Sequence, residues 1–230
     1  MYNIKEWWNG LGDEWQNIFA GILGHQTATQ PTYTEFKRIL ELDELHCGAT
    51  SIVDLEPLRL LKNLHILGCF ETLITSLAPL RTLAKLQVLG CSETSIISLE
   101  PLRHLNNLRI LKCYATDVSS LEPLSEMTSL EILDCAGARI TTLEPLHHLK
   151  NLHTLICGGN DITSLEPLRH LTNLQELDCS YSSIMDLEPL YHLPNLLILH
   201  CKKSLVSTNV RKIEQFRLAC PMCTIEDIGF

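Results

Sequence analysis

Apolar residues between positions 33 and 208 recur with a period of 22, in eight consecutive units that begin at Tyr33, Leu55, Leu77, Leu99, Leu121, Leu143, Leu165 and Leu187. A representative unit is LEPLRHLNNLRILKCYATDVSS, residues 99–120. Its apolar positions are Leu99, Leu102, Leu105, Leu108, Leu111, Cys113 and Val118, and the same seven columns are apolar in every unit. The divergent first unit keeps them as Tyr33, Phe36, Ile39, Leu42, Leu45, Cys47 and Ile52. Self-similarity at a fixed period of this length marks an array of supersecondary units, each burying its apolar face against its neighbours because none can bury it alone.

Spacing inside the unit divides it into two halves. Leu111 and Cys113 stand two apart, the step of a strand with one face inward. Leu99, Leu102, Leu105 and Leu108 stand three apart, which suits a 3-10 or short irregular helix. Pro57, Pro79, Pro101, Pro123, Pro145, Pro167 and Pro189 fall at one position, where a fixed φ and a missing donor are tolerated at the start of a helical turn. The ends of the array carry different patterns. DEWQNIFAGIL, residues 13–23, puts Trp15, Ile18, Phe19, Ile22 and Leu23 on one helical face, with Asp13 as its N-cap. After the array, Val210, Ile213 and Phe216 share a helical face, Pro221 stops the helix, and CTIEDI predicts a short strand. The organisation expected is therefore an N-terminal helical cap over 1–32, eight repeats over 33–208, and a C-terminal cap of helix plus short strand over 209–230.

A 22-residue unit of strand, turn and 3-10 segment resembles the leucine-rich repeat, in the short-repeat class that includes the internalins, and the resemblance covers about residues 33–208. EWWNGLGDEWQNIF before the array and the sparse I, F, P, C, I pattern after it are similar to the flanks of cytoplasmic bacterial leucine-rich repeat proteins. The resemblance implies an α/β solenoid, with a parallel β-sheet on the concave side, 3-10 or short helical segments on the convex side, and helical caps. It also implies an inward column where the family carries leucine and this chain carries cysteine. Three residues beyond that column, where the family carries asparagine, stand Thr50, Thr72, Thr94, Thr116, Ala138, Asn160, Ser182 and Ser204. Hydroxyls make a weaker version of the asparagine bond. Ala138 makes none, so a looser turn is expected there.

Eight of the ten cysteines occupy that column: Cys47, Cys69, Cys91, Cys113, Cys135, Cys157, Cys179 and Cys201. A catalytic thiol, a metal ligand, a disulfide and a core residue are the roles open to such a residue. Neighbouring parallel strands lie close enough for disulfides, but stacked side chains point the same way. The N-terminus lacks a basic run followed by an apolar one, so a soluble, cytoplasmic protein with reduced thiols is expected. Core residues are the expectation that results. Cys220 and Cys223 form a separate C-x-x-C, which alone is weak evidence for zinc or redox chemistry.

A net charge of −9 and a pI near 5.5 disfavour nucleic acid and anionic membranes as partners. His104, His148, His170 and His192 share a convex column beside Glu100, Glu144, Glu166 and Glu188, a pattern expected of a solvated face. Glu56 with Arg59 and Glu100 with Arg103 are spaced to pair on one turn. The three tryptophans, Trp7, Trp8 and Trp15, all precede the array; they suit a core cap, with docking through Trp7 or Trp8 as the alternative.

No nucleophile with a base, glycine-rich phosphate loop or carboxylate pair stands outside the repeat columns, so neither an enzyme nor a cofactor is expected. The outward strand positions then become the candidate site. These are Ile66, Val88, Ile110 and Ile132 in one column, Gly68, Gly90, Lys112 and Asp134 in the next, and Phe70, Ser92, Tyr114 and Ala136 beyond. An exposed apolar stripe with aromatic neighbours marks a protein interface. The function expected is binding of a protein or peptide on the concave face. The alternatives are regulation of a partner enzyme through an acidic rim of Glu71, Glu93, Asp117 and Asp161, or metal or redox chemistry at the C-x-x-C.

Overall fold

The structure is a computed structural model and describes residues 3–226. Three helices come first: α1 (Ile4–Asn9), α2 (Asp13–Leu23) and α3 (Tyr33–Leu40). Nine short parallel strands then form one open sheet in sequence order. They are β1 (Glu44–His46), β2 (Ile66–Gly68), β3 (Val88–Gly90), β4 (Ile110–Lys112), β5 (Ile132–Asp134), β6 (Thr154–Ile156), β7 (Glu176–Asp178), β8 (Ile198–His200) and β9 (Thr224–Glu226). Helix α4 (Val210–Ala219) lies between β8 and β9.

From β1 to β8 the lateral partner of each residue is the one a period later, as in Leu45 with Leu67 and Leu67 with Leu89. The sequence period is thus the sheet register. All seven apolar columns of the second to eighth units are at most 4% exposed, from Leu55 to Val206. The cysteine column lies within this core, and its amides continue the ladder, with Cys91 N–H donating to Lys112 O at 2.8 Å.

Between strands, 3-10 segments such as Glu56–Leu60, Ala78–Thr82 and Glu100–Leu102 each carry proline in their first two positions. A further column, not singled out in the sequence, caps them. Side-chain oxygens of Asp54, Ser76, Ser98, Ser120, Thr142, Ser164 and Asp186 each accept the N–H of the residue two positions on, at 2.8–3.2 Å. Those amides open a helical turn and have no partner inside it.

The first unit departs from the others. Its segment lacks proline and forms the α-helix α3, closed by a capping box between Thr32 and Glu35. An α-helix advances 100° per residue, so threefold spacing no longer keeps one face inward. Phe36 and Ile39 are buried, whereas Tyr33 is 56% exposed and Leu42 only half-buried. Other local expectations shift as well. Gly12, not Asp13, is the N-cap of α2, and Asp13 opens the first turn. Val210 at the start of α4 is 50% exposed while Ile213 and Phe216 are buried. The strand predicted over 223–228 is seen as Thr224–Glu226, and its last two positions lie outside the described residues.

The turn after each strand is closed by the polar column. Thr50, Thr72, Thr94, Thr116, Ser182 and Ser204 hydroxyls donate to the carbonyl of the cysteine three residues back, at 2.6–2.8 Å. The turn at Ala138 is not left open. Asn160 Nδ2 donates to Cys157 O of its own unit and to Cys135 O of the unit before, each at 2.9 Å, and its Oδ1 accepts Ile140 N–H at 2.9 Å. One amide side chain spans two units because its NH2 has two hydrogens for two carbonyls and its oxygen still accepts, whereas a hydroxyl has one donor hydrogen and a shorter reach.

Candidate functional site

The outward faces of β2 to β5 bring Ile66, Val88, Ile110 and Ile132 into direct lateral register. Each is half-buried, because its neighbours along the column cover its flanks while its tip remains open. Beyond β5 the column turns polar, through Thr154 and Glu176, and before β2 it ends at Glu44. The apolar stripe is therefore four strands wide, bounded by Glu44 on one side and by Thr154 and then Glu176 on the other.

The next column is less uniform than the sequence implies. Gly68 is buried rather than bare: a Cβ built there would stand 2.7 Å from the His46 imidazole, which lies across it and pairs through Nε2 with Glu44 at 2.6 Å. Gly90 is open, with nothing within 4 Å of the corresponding point. Lys112 is exposed and Asp134 half-buried, its carboxyl pushed above the ordinary range by burial. Asp134 Oδ1 accepts Ala136 N–H at 3.2 Å.

In the third column Phe70 is 39% exposed and its ring packs on Gly48, where any Cβ would come within 2.9 Å. Tyr114 donates its hydroxyl to Glu93 at 2.8 Å, and that bond raises its pKa. Ser92 does not join the face: it is 2% exposed, and its Oγ has no hydrogen-bond partner.

The acidic rim is partly neutralised. Asp117 pairs with Arg139 at 2.6 Å, Glu93 accepts the Tyr114 hydroxyl and keeps its charge, and Glu71 and Asp161 are exposed with no ion pair among the described residues.

The family model for leucine-rich repeats matches in two copies, at residues 128–170 and 150–192. The match covers residues 128–192, and the same unit of strand and 3-10 segment runs on both sides of it through one open sheet of nine parallel strands. The chain is a leucine-rich repeat protein. Internalin C2 of Listeria monocytogenes has a similar structure at 27% identity and a TM-score of 0.74, covering 84% of each chain. An internalin F structure from the same species superposes at 22% identity and a TM-score of 0.83 over 93% of this chain, which spans 62% of that one. Internalin J, whose functional domain includes a cysteine ladder, matches at 22% identity and a TM-score of 0.53, over 87% of this chain and 52% of its own. No curated protein matches the chain.

The leucine-rich repeat protein holds all ten thiols free and buried. Burial pushes Cys47 and Cys135 up to about 12, and drives Cys91, Cys113, Cys157 and Cys179 well above the usual range. A thiol so disfavoured as thiolate is a poor nucleophile and a poor ligand. Cys220 and Cys223 are 8% and 9% exposed; the Cys220 thiol donates to Leu190 O, and burial raises Cys223 to about 12. Among the described residues no group of three or more histidines, cysteines and carboxylates stands where it could hold a metal ion. His104, His148, His170 and His192 are exposed on the convex side, where Glu56–Arg59 and Glu100–Arg103 pair as their spacing predicts and Glu166–Arg169 pairs in the same way. No helix among the described residues is long and apolar enough to cross a membrane.

Proposed function

We propose that the protein is a non-enzymatic recognition module that holds a protein or peptide on its concave face. Leucine-rich repeat folds commonly serve as interaction scaffolds, since stacking units yields an extended concave surface whose outward residues vary freely. The observation that carries the proposal is the stripe of Ile66, Val88, Ile110 and Ile132, flanked by Phe70 and Tyr114 and ending at the polar Glu44 and Thr154. Apolar tips at the centre with a polar boundary are the anatomy of a protein interface. Beside the stripe Gly90 leaves an open position and Lys112 and Asp134 add polar contacts.

The test is capture of partners from native lysate with tagged wild-type protein and an Ile110→Glu variant whose circular dichroism matches it. A partner retained by the wild type and lost by the variant supports the concave face. A partner held equally by both overturns it.

A further inference from the structure

A second surface lies at the N-terminal end of the array, on the side of its 3-10 segments. Between the N-terminal helices and the 3-10 segment Glu56–Leu60 runs a cleft of about 710 Å³, within the range of roughly 300–1,000 Å³ common to ligand-binding clefts. Its walls are apolar: Trp7, Leu11 and Trp15 on the helical side, Pro57 and Leu60 on the repeat side. These walls are fixed. Trp15 is 4% exposed and donates Nε1–H to Asp54 O at 3.1 Å, while the half-buried Trp7 packs against Phe19 and Phe36 at ring centroids of 5.3 and 4.9 Å.

The rim is acidic. Among the described residues Glu6, Asp54 and Glu56 line it against one cation, Arg59, and Arg59 is already engaged bidentately by Glu56. Asp54 accepts the Glu56 N–H and meets no cation among the described residues, and neither does Glu6. An apolar cleft with two carboxylates lacking a counter-ion complements a ligand that is apolar at its centre and cationic at its edge.

We propose that this cleft binds a partner's peptide segment in which an aliphatic or aromatic side chain stands next to lysine or arginine. The apolar side chain enters between Trp7 and Leu60, and the cation meets Glu6 and Asp54. This site is separate from the concave face and does not depend on it.

All three tryptophans lie in the N-terminal segment, and two of them line the cleft, so intrinsic fluorescence reports this site without interference from the repeats. The probe is the tripeptide Arg-Phe-Arg with blocked termini, and Glu-Phe-Glu is its control. The expected result is a saturable fluorescence change with Arg-Phe-Arg, and binding at least tenfold weaker with Glu-Phe-Glu. Gly12 supplies a filling variant: it lines the cleft, its φ of −70° suits any residue, and a Cβ there meets nothing within 4 Å. Gly12→Phe should reduce binding at least tenfold, and the exposed Glu6→Gln should reduce it severalfold with a smaller salt dependence. Ile110→Glu should leave it unchanged, which separates this site from the concave one. No saturable change with Arg-Phe-Arg, equal binding of the two tripeptides, or wild-type binding by both Gly12→Phe and Glu6→Gln would overturn the proposal.

Discussion

Replacing Asn160 should destabilise the array far more than replacing any hydroxyl of the same column. Asn160 is 4% exposed and satisfies Cys135 O, Cys157 O and Ile140 N–H at 2.9 Å each. Thr116, its counterpart two units earlier, donates only to Cys113 O. A buried polar group stripped of its partner costs about 1–3 kcal/mol. Thr116→Ala strips one such group and should cost about 1–2 kcal/mol. Asn160→Ala strips three; with water entry and backbone relaxation recovering part of the loss, about 3–5 kcal/mol is expected. Asn160→Thr keeps the bond to Cys157 O alone and should fall between them. Adding Ala138→Thr to Asn160→Thr supplies a hydroxyl to Cys135 O, as the other threonine units do, and should recover about 1 kcal/mol. In the wild type the same Ala138→Thr change competes with Asn160 for Cys135 O and should recover nothing. Equilibrium urea unfolding followed by far-ultraviolet circular dichroism measures all five variants against the wild type. A cost for Asn160→Ala no greater than for Thr116→Ala, or equal effects of Ala138→Thr in both backgrounds, would refute the two-unit bridge.

Three further outcomes follow from the geometry. Native protein should show no fast-reacting thiol toward a disulfide reagent at pH 8, and all ten cysteines should react in guanidinium; two or more reactive native thiols would contradict a buried column. Ala115 sits in the left-handed region at φ 50°, a conformation that costs a residue with a Cβ about 1–2 kcal/mol, so Ala115→Gly should raise urea stability by about 0.5–1 kcal/mol after the added chain entropy of glycine. Asp134 has its folded pKa raised by burial, so the stability gained from its protonated form is complete below the unfolded pKa and lost as pH rises through the folded one. Asp134→Asn, which keeps an oxygen for Ala136 N–H, should therefore stabilise the protein at pH 7 and have no such benefit near pH 3, as pH-dependent urea melts would show.

The sequence determined the repeat, its boundaries in the sheet and the inward columns, because a 22-residue period converts directly into lateral strand register. Leu67 must face Leu89, and Leu89 must face Leu111, whatever else the chain does. The outward columns follow from the same alternation, which is why Ile66 to Ile132 could be placed on one face from spacing alone.

Tertiary structure decided what depends on side-chain reach between units. Position 160 reads as one more polar residue in its column, yet its amide bridges to the unit lacking a donor. Gly68 is covered because His46 folds over it, and Ser92 is withdrawn from the face, although alternation puts both outward. Tyr33 turned to solvent because a capping box made its segment an α-helix. The N-terminal cleft is wholly tertiary: its walls come from Trp7, Trp15 and Leu60, and only docking of α2 against Asp54 brings them together. Periodicity specifies which neighbours meet, whereas contacts between non-equivalent residues depend on distances and angles that no period encodes.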